Sequence, residues 1–98
     1  MIVGGWFEVD PRERDAFVAE RAAVMRRSRA EPGCIEYVIA ADPLEPGRAV
    51  LFERWATQAD LDTHLAALSA APPSERASLA PTAVSIVVYD VSGEHTLA

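Results

Sequence analysis

The chain contains no lysine and no asparagine. The first absence excludes Schiff-base and lysine-nucleophile chemistry. The second excludes every mechanism that needs an asparagine side chain. There is one cysteine, Cys34, so neither an intrachain disulfide nor a thiol-rich metal site can form, and a reducing cytosol suits it. Positive charge is scarce. Nine arginines face fifteen acidic residues, for a net charge of −6, whereas a nucleic-acid-binding surface needs a basic footprint. No apolar run approaches the roughly 18 residues of a membrane span. Residues 1–6 lack the basic start and long apolar stretch of a signal peptide. The expected location is therefore cytoplasmic, with no membrane partner. Val3-Gly4-Gly5 is too short to be a phosphate loop or dinucleotide fingerprint. His64, His95 and the scattered carboxylates show no metal-ligand spacing. Neither a metal nor a cofactor is expected.

What is present is an ordinary globular composition, 50% hydrophobic and 24% charged over 98 residues, enough for one domain spanning 1–98. A domain of this size buries only about 60–70% of its unfolded surface, so a large cavity would consume much of its core. Residues 2–9 read as a strand, ended by Asp10-Pro11. Asp10 as N-cap, Pro11 at the first helical position and Glu13 in a capping-box place predict a helix to about Ala30. Its apolar side carries Phe17, Val18, Ala22, Val24 and Met25. Glu31-Pro32-Gly33 stops it. Residues 34–41 read as a second strand with Ile35, Tyr37 and Ile39 on one face, 42–47 as a turn, and 48–56 as a third strand. Thr57 caps a second helix, with Asp60 in the capping-box position, running to about Ser69; Leu61, His64, Leu65 and Leu68 share one face. Pro72-Pro73 is a break, 74–79 fit one or two helical turns, and 84–91 form a last strand before a mobile tail at 92–98. The fold class is α+β, a ferredoxin-like βαββαβ chain with a four-stranded antiparallel sheet.

Two helices cover one face of such a sheet. Yet the first strand has Val3, Phe7 and Val9 on one side and Ile2 and Trp6 on the other. The last has Val84, Ile86 and Val88 opposite Val87, Tyr89 and Val91. A sheet apolar on both faces has to be covered on both. A second copy packed sheet to sheet as a two-fold homodimer does this most simply, with Trp6 in the interface; the alternative is that 70–83 folds over that face.

Three stretches stand together: Ala30-Glu31-Pro32-Gly33-Cys34-Ile35-Glu36-Tyr37, the Asp42-Pro43 hairpin, and Val50-Leu51-Phe52-Glu53-Arg54-Trp55 leading into a helix with Leu61 and His64-Leu65. Over residues 2–91 the chain resembles the antibiotic biosynthesis monooxygenase (ABM) family of dimeric α+β barrels. The resemblance implies a small homodimer with a pocket in each subunit between sheet and helices. Relatives include cofactor-independent monooxygenases of anthrone-like or hydroquinone substrates, haem-degrading enzymes and isomerases of a small phosphorylated compound. This chain departs from many relatives in the short segment after His64-Leu65, which lacks their His-Phe element. The haem-degrading branch uses an asparagine, a tryptophan and an axial histidine; only Trp55 has a counterpart here, which disfavours haem.

His64 is the one titratable residue on an apolar helix stripe. An unperturbed histidine titrates near pH ~6.5 and serves as a general base at neutral pH; the plainer alternative is a helix residue bonded to a backbone group or carboxylate. Glu53 and Trp55 share a strand face. Trp55 is a candidate pocket wall, or plain core. Glu53 is a weaker candidate acid–base group, or half of an ion pair with Arg48, His64 or Arg54 of the other subunit. Tyr37 is a candidate hydrogen-bond donor, and Phe7, Leu61 and Leu65 are candidate pocket residues. Cys34, without a basic neighbour in sequence, is a poor nucleophile.

The expected function is cofactor-independent oxidation by O2 of a small electron-rich aromatic, an anthrone, hydroquinone or related polyketide-type compound. His64 would be the base and Tyr37 the donor to the developing oxyanion. The alternatives are an isomerase or lyase acting beside a carbonyl, with an arginine clamp if its substrate is phosphorylated, and a non-catalytic binding or accessory protein, favoured by a self-filled pocket.

Overall fold

A computed structural model describes residues 1–72 and 77–98. Its elements are β1 (Ile2–Glu8), α1 (Arg14–Glu20), α2 (Ala22–Arg29), β2 (Cys34–Ala41), β3 (Arg48–Trp55), α3 (Gln58–Ala70) and β4 (Ala83–Tyr89). The strands form one antiparallel sheet in the order β2-β3-β1-β4. Two-residue alternation sorts the side chains. Val3, Phe7, Ala49, Leu51, Glu53, Trp55, Tyr37 and Ile39 point to the helix-covered face, where Phe17 and Leu61 complete the core. The ferredoxin-like α+β plan is therefore present.

The first helix departs from the expectation. Residues 11–13 form a turn, and Asp10 caps nothing: its carboxylate accepts from the Arg12 backbone N–H at 2.9 Å and from the Arg12 guanidinium at 2.8 Å. Glu13 sits at the cap without a side-chain cap bond. The helix then breaks at Arg21 into α1 and α2. The reason is local. The Phe17 carbonyl, which a continuous helix would bond to the Arg21 N–H, instead accepts from Arg21 Nη1 at 3.0 Å, while the Arg21 N–H turns to Val18 O. The same guanidinium lies 3.4 Å above the centre of the Phe17 ring and donates to Leu79 O.

The second strand also departs. Cys34 pairs with Trp55 and Glu36 with Arg54, so one extra residue bulges between them. The bulge turns Ile35 out to 53% exposure while Tyr37 and Ile39 stay buried. The expected common face for Ile35, Tyr37 and Ile39 is corrected accordingly. The turn ahead of β2 needs Gly33, whose φ is +80° and whose α-carbon the Asp60 side chain crowds.

The second helix starts as expected, with Thr57 accepting from the Asp60 N–H and donating to its carboxylate. Of the turns expected at 74–79, residues 74–76 lie outside the described residues, and 77–79 are not helical. Glu20 holds this last piece, accepting from the Ser78 and Leu79 backbone N–H groups. Residues 92–98 carry neither helix nor strand. No helix is long and apolar enough to cross a membrane among the described residues.

The face of the sheet away from the helices is apolar at its middle. Trp6, Val38, Val50, Val87 and Tyr89 are 37% to 54% exposed there. Ion pairs rim it: Arg48 with Glu8 at 2.9 Å and Arg54 with Glu36 at 2.9 Å.

Candidate functional site

A cavity of about 230 Å³ lies between α3 and the inner face of the sheet. Leu61, Leu65 and Leu68 roof it, Val3, Phe7 and Leu51 floor it, and Ile86 and Val88 of β4 close one side. Its polar groups are Tyr37, Glu53 and His64. The stripe at three- and four-residue spacing on α3 explains the roof. Leu61 and His64 are buried, whereas Leu65 is 49% exposed because the cavity opens beneath it.

His64 is 1% exposed and stands between two carboxylates. Its Nδ1 lies 3.2 Å from Glu31 Oε2 and 3.3 Å from Oε1. Its Nε2 has no hydrogen-bond partner among the described residues and is 3.8 Å from Glu53 Oε1, beyond hydrogen-bond reach. The ring leans on Trp55, centroids 4.6 Å apart, and meets Tyr37 edge-on at 5.4 Å. The Trp55 indole N–H donates to Glu53 Oε1 at 2.8 Å.

Burial pushes the Glu53 carboxyl up from the usual carboxylate range. The Trp55 hydrogen bond and the nearby His64 hold it partly back, and the Glu31 charge adds to the rise. Burial, with the Glu53 charge next, also pushes the Tyr37 phenol well above its ordinary value. Tyr37 thus stays protonated and able to donate at neutral pH. The Cys34 thiol is raised as well, by burial and then by Glu31, which suits no nucleophile.

The structure brings together His64, Tyr37, Glu53, Phe7, Leu61 and Leu65. Trp55 is placed otherwise. It does not line this cavity but braces His64 and Glu53 from behind, and borders a separate open hollow with Met1, Arg54 and Glu94. Of the ion-pair partners expected for Glu53, His64 is the one beside it, at 3.8 Å. Arg48 and this chain's own Arg54 are engaged with Glu8 and Glu36 on the opposite face, and the Trp55 indole N–H adds a hydrogen bond to Glu53. Sequence reasoning missed Glu31, which it read only as part of a helix stop. The pairing of Cys34 with Trp55 brings that turn beside the end of β3. No local signal in the sequence announces that pairing.

Trp55→Phe removes the donor from a buried carboxylate. It is expected to destabilise the protein by about 1–3 kcal/mol and to raise the Glu53 pKa further. The loss is larger above that pKa, where the unsatisfied group is charged, and smaller below it. Thermal unfolding at several pH values checks this; an equal loss at all pH values would contradict it.

An unpartnered imidazole nitrogen, a carboxyl and a neutral phenol in an apolar chamber can hold and deprotonate a hydroxyl-bearing ligand. Among the described residues no arginine lines this cavity. Among the described residues no cluster suited to a metal ion occurs.

The sequence profile for antibiotic biosynthesis monooxygenases matches residues 1–70. A Deinococcus radiodurans protein named for that family has the same fold, with TM-score 0.77 and 20% identity, over 100% of this chain and 99% of that one. Rv0793 from Mycobacterium tuberculosis gives TM-score 0.64 and 29% identity, over 94% and 97% of the two chains. The uncharacterized protein sll1783 of Synechocystis sp. is 36% identical over 64 residues, 65% of this chain, and the chain spans 44% of that protein's length. With the family profile, the sheet order and the helix-roofed cavity in agreement, this chain belongs to the antibiotic biosynthesis monooxygenase family.

Proposed function

We propose that the chain is a cofactor-independent monooxygenase that oxidises a small, neutral, electron-rich aromatic with O2. The observation that carries this reading is the buried His64 Nε2, without a partner, at the wall of an apolar cavity. His64 takes the proton of a phenolic or enolic hydroxyl. The electron-rich anion left behind reduces O2. One oxygen atom enters the product and the other leaves as water: a hydroquinone or catechol with a free ring C–H becomes a hydroxyquinone, and an anthrone CH2 becomes C=O. Tyr37 donates to the developing oxyanion, and the leucines exclude water. The cavity, about 230 Å³, falls below the roughly 300–1,000 Å³ of typical ligand pockets. That size favours one- and two-ring substrates over tricyclic anthrones. The open chamber weighs against a self-filled binding protein. A second copy covers the apolar outer face in the same reading.

The test is oxygen uptake without added cofactor across naphthohydroquinones, catechols and anthrones. Uptake above the protein-free rate is expected for the two-ring compounds, with one atom of labelled O2 in the product. No uptake across the panel would remove the oxygenase reading.

A further inference from the structure

We propose that Glu31 is a positioning residue: it holds His64 as the Nδ1–H tautomer and so presents the Nε2 lone pair to a ligand hydroxyl seated between Nε2 and Glu53. This rests on the function proposed above, because the site needs a base with a free lone pair facing the cavity. A carboxylate only accepts hydrogen bonds. The contact of both Glu31 oxygens with Nδ1, at 3.2 and 3.3 Å, therefore requires the hydrogen on Nδ1. The remaining nitrogen then carries a lone pair, is buried and has no partner. The 3.8 Å between Nε2 and Glu53 Oε1 is too long for a direct hydrogen bond. A ligand hydroxyl beside both donates its one hydrogen to Nε2 and accepts from the Glu53 carboxyl in its protonated form, which burial favours.

The surroundings agree. Glu31 reaches His64 from the turn before β2, Glu53 and Trp55 from β3, and Tyr37 from β2, while α3 itself adds Leu61 and Leu65 to the same face. Arg29 is tied to the Tyr37 backbone carbonyl at 2.8 Å. The Glu31 side chain is 19% exposed against 1% for His64, so it sits at the outer side and leaves the cavity side of the ring clear. When the substrate O–H bond breaks, the proton goes to Nε2 and the electron pair stays on oxygen. Glu31 then faces an imidazolium and stabilises it. The same proton returns to the outer oxygen of the peroxide formed with O2; that oxygen leaves as hydroxide and takes the hydrogen released from the attacked carbon, giving water.

The experiment is nitrogen-15 NMR of the His64 ring at neutral pH without substrate, in the wild type, Glu31→Ala and Glu31→Gln. The turn should survive these changes, because its bonds from Glu31 N to Ser28 O and from Cys34 N to Glu31 O are backbone only. The wild type is expected to show Nδ1–H and a bare Nε2. Glu31→Ala is expected to move the neutral ring to Nε2–H and to lower kcat about 10- to 100-fold with KM little changed, since Glu31 does not touch the ligand. Glu31→Gln keeps an accepting oxygen and is expected to keep the wild-type tautomer. A wild-type ring with Nε2–H, or with both nitrogens protonated, overturns the proposal. So does an Ala variant that keeps Nδ1–H. If the wild type oxidises nothing, the function proposed above falls, and the tautomer measurement still decides the role of Glu31.

Discussion

Replacing His64 by alanine is expected to lower oxygen uptake about 10²–10⁴-fold, the usual contribution of a positioned general base, in a protein that still folds. The lost group is the imidazole nitrogen that lines the cavity without a partner. Glu53 is the other proton acceptor there, but burial disfavours its charged form, and its near oxygen already accepts the Trp55 indole N–H. Tyr37 is held neutral and donates. Neither replaces His64. The fold should hold because α3 is fixed at its start by Thr57 and Asp60 and in the core by Leu61. Circular dichroism verifies folding, and oxygen consumption gives the rate. Added imidazole, which fits the space vacated, should restore part of it. Full activity in this variant would take His64 out of the mechanism.

The second large effect is on assembly. Val50→Glu is expected to turn a dimer into a monomer, read as a halving of mass by analytical ultracentrifugation. Val50 lies at the middle of the outer face, opposite Trp6 across the β1–β3 pairing. Its neighbours Ala49 and Leu51 are buried on the other side, so the substitution leaves the core untouched. Stable interfaces bury about 1,200–2,000 Å² in total, and an unpaired charge at the centre of one costs several kcal/mol, of order 3–5. In the proposed two-fold dimer two such charges would enter from opposite sides. The rim pairs Arg48–Glu8 and Arg54–Glu36 are already satisfied and offer the new carboxylate no free partner. A monomeric wild type would refute the sheet-to-sheet dimer, and a Val50→Glu dimer would move the interface elsewhere.

Several features were readable before any coordinates. Two-residue alternation put Glu53 and Trp55 on one strand face, and both stand buried inside the sheet. Thr57 announced α3, and the stripe on α3 placed His64 inward. Asp42 marked its turn, where the carboxylate accepts from the Leu44 and Glu45 N–H groups. The misses share a cause: each depends on a contact between distant parts of the chain or on one competing side-chain bond. The bulge at Ile35 follows from how β2 meets β3, not from the local pattern. The break at Arg21 comes from a guanidinium taking a helix carbonyl. Glu31 belongs to the site only because two strands pair beside it. Trp55 shares a face with Glu53 as expected, but the direction of its ring, set by the indole hydrogen bond, is invisible in a pattern of alternation.

Strand β4 is apolar on both sides, with Ile86 and Val88 toward the cavity and Val87 and Tyr89 toward the outer face. Hydrophobic patterning therefore says little about its register, because a one-residue slip exchanges one set of apolar side chains for another. Thr82 supplies the missing restraint, its N–H at 2.7 Å and its hydroxyl at 3.1 Å both donating to the Glu8 carbonyl. One threonine at the mouth of the strand thus acts as a peg on a sliding jaw. Moving the peg by one position would turn Val87 and Tyr89 toward the chamber and change the relief of the outer face. The shape of the chamber and the relief of the outer face are in this way two readings of a single setting, open to joint change without any alteration of His64, Glu53 or Tyr37.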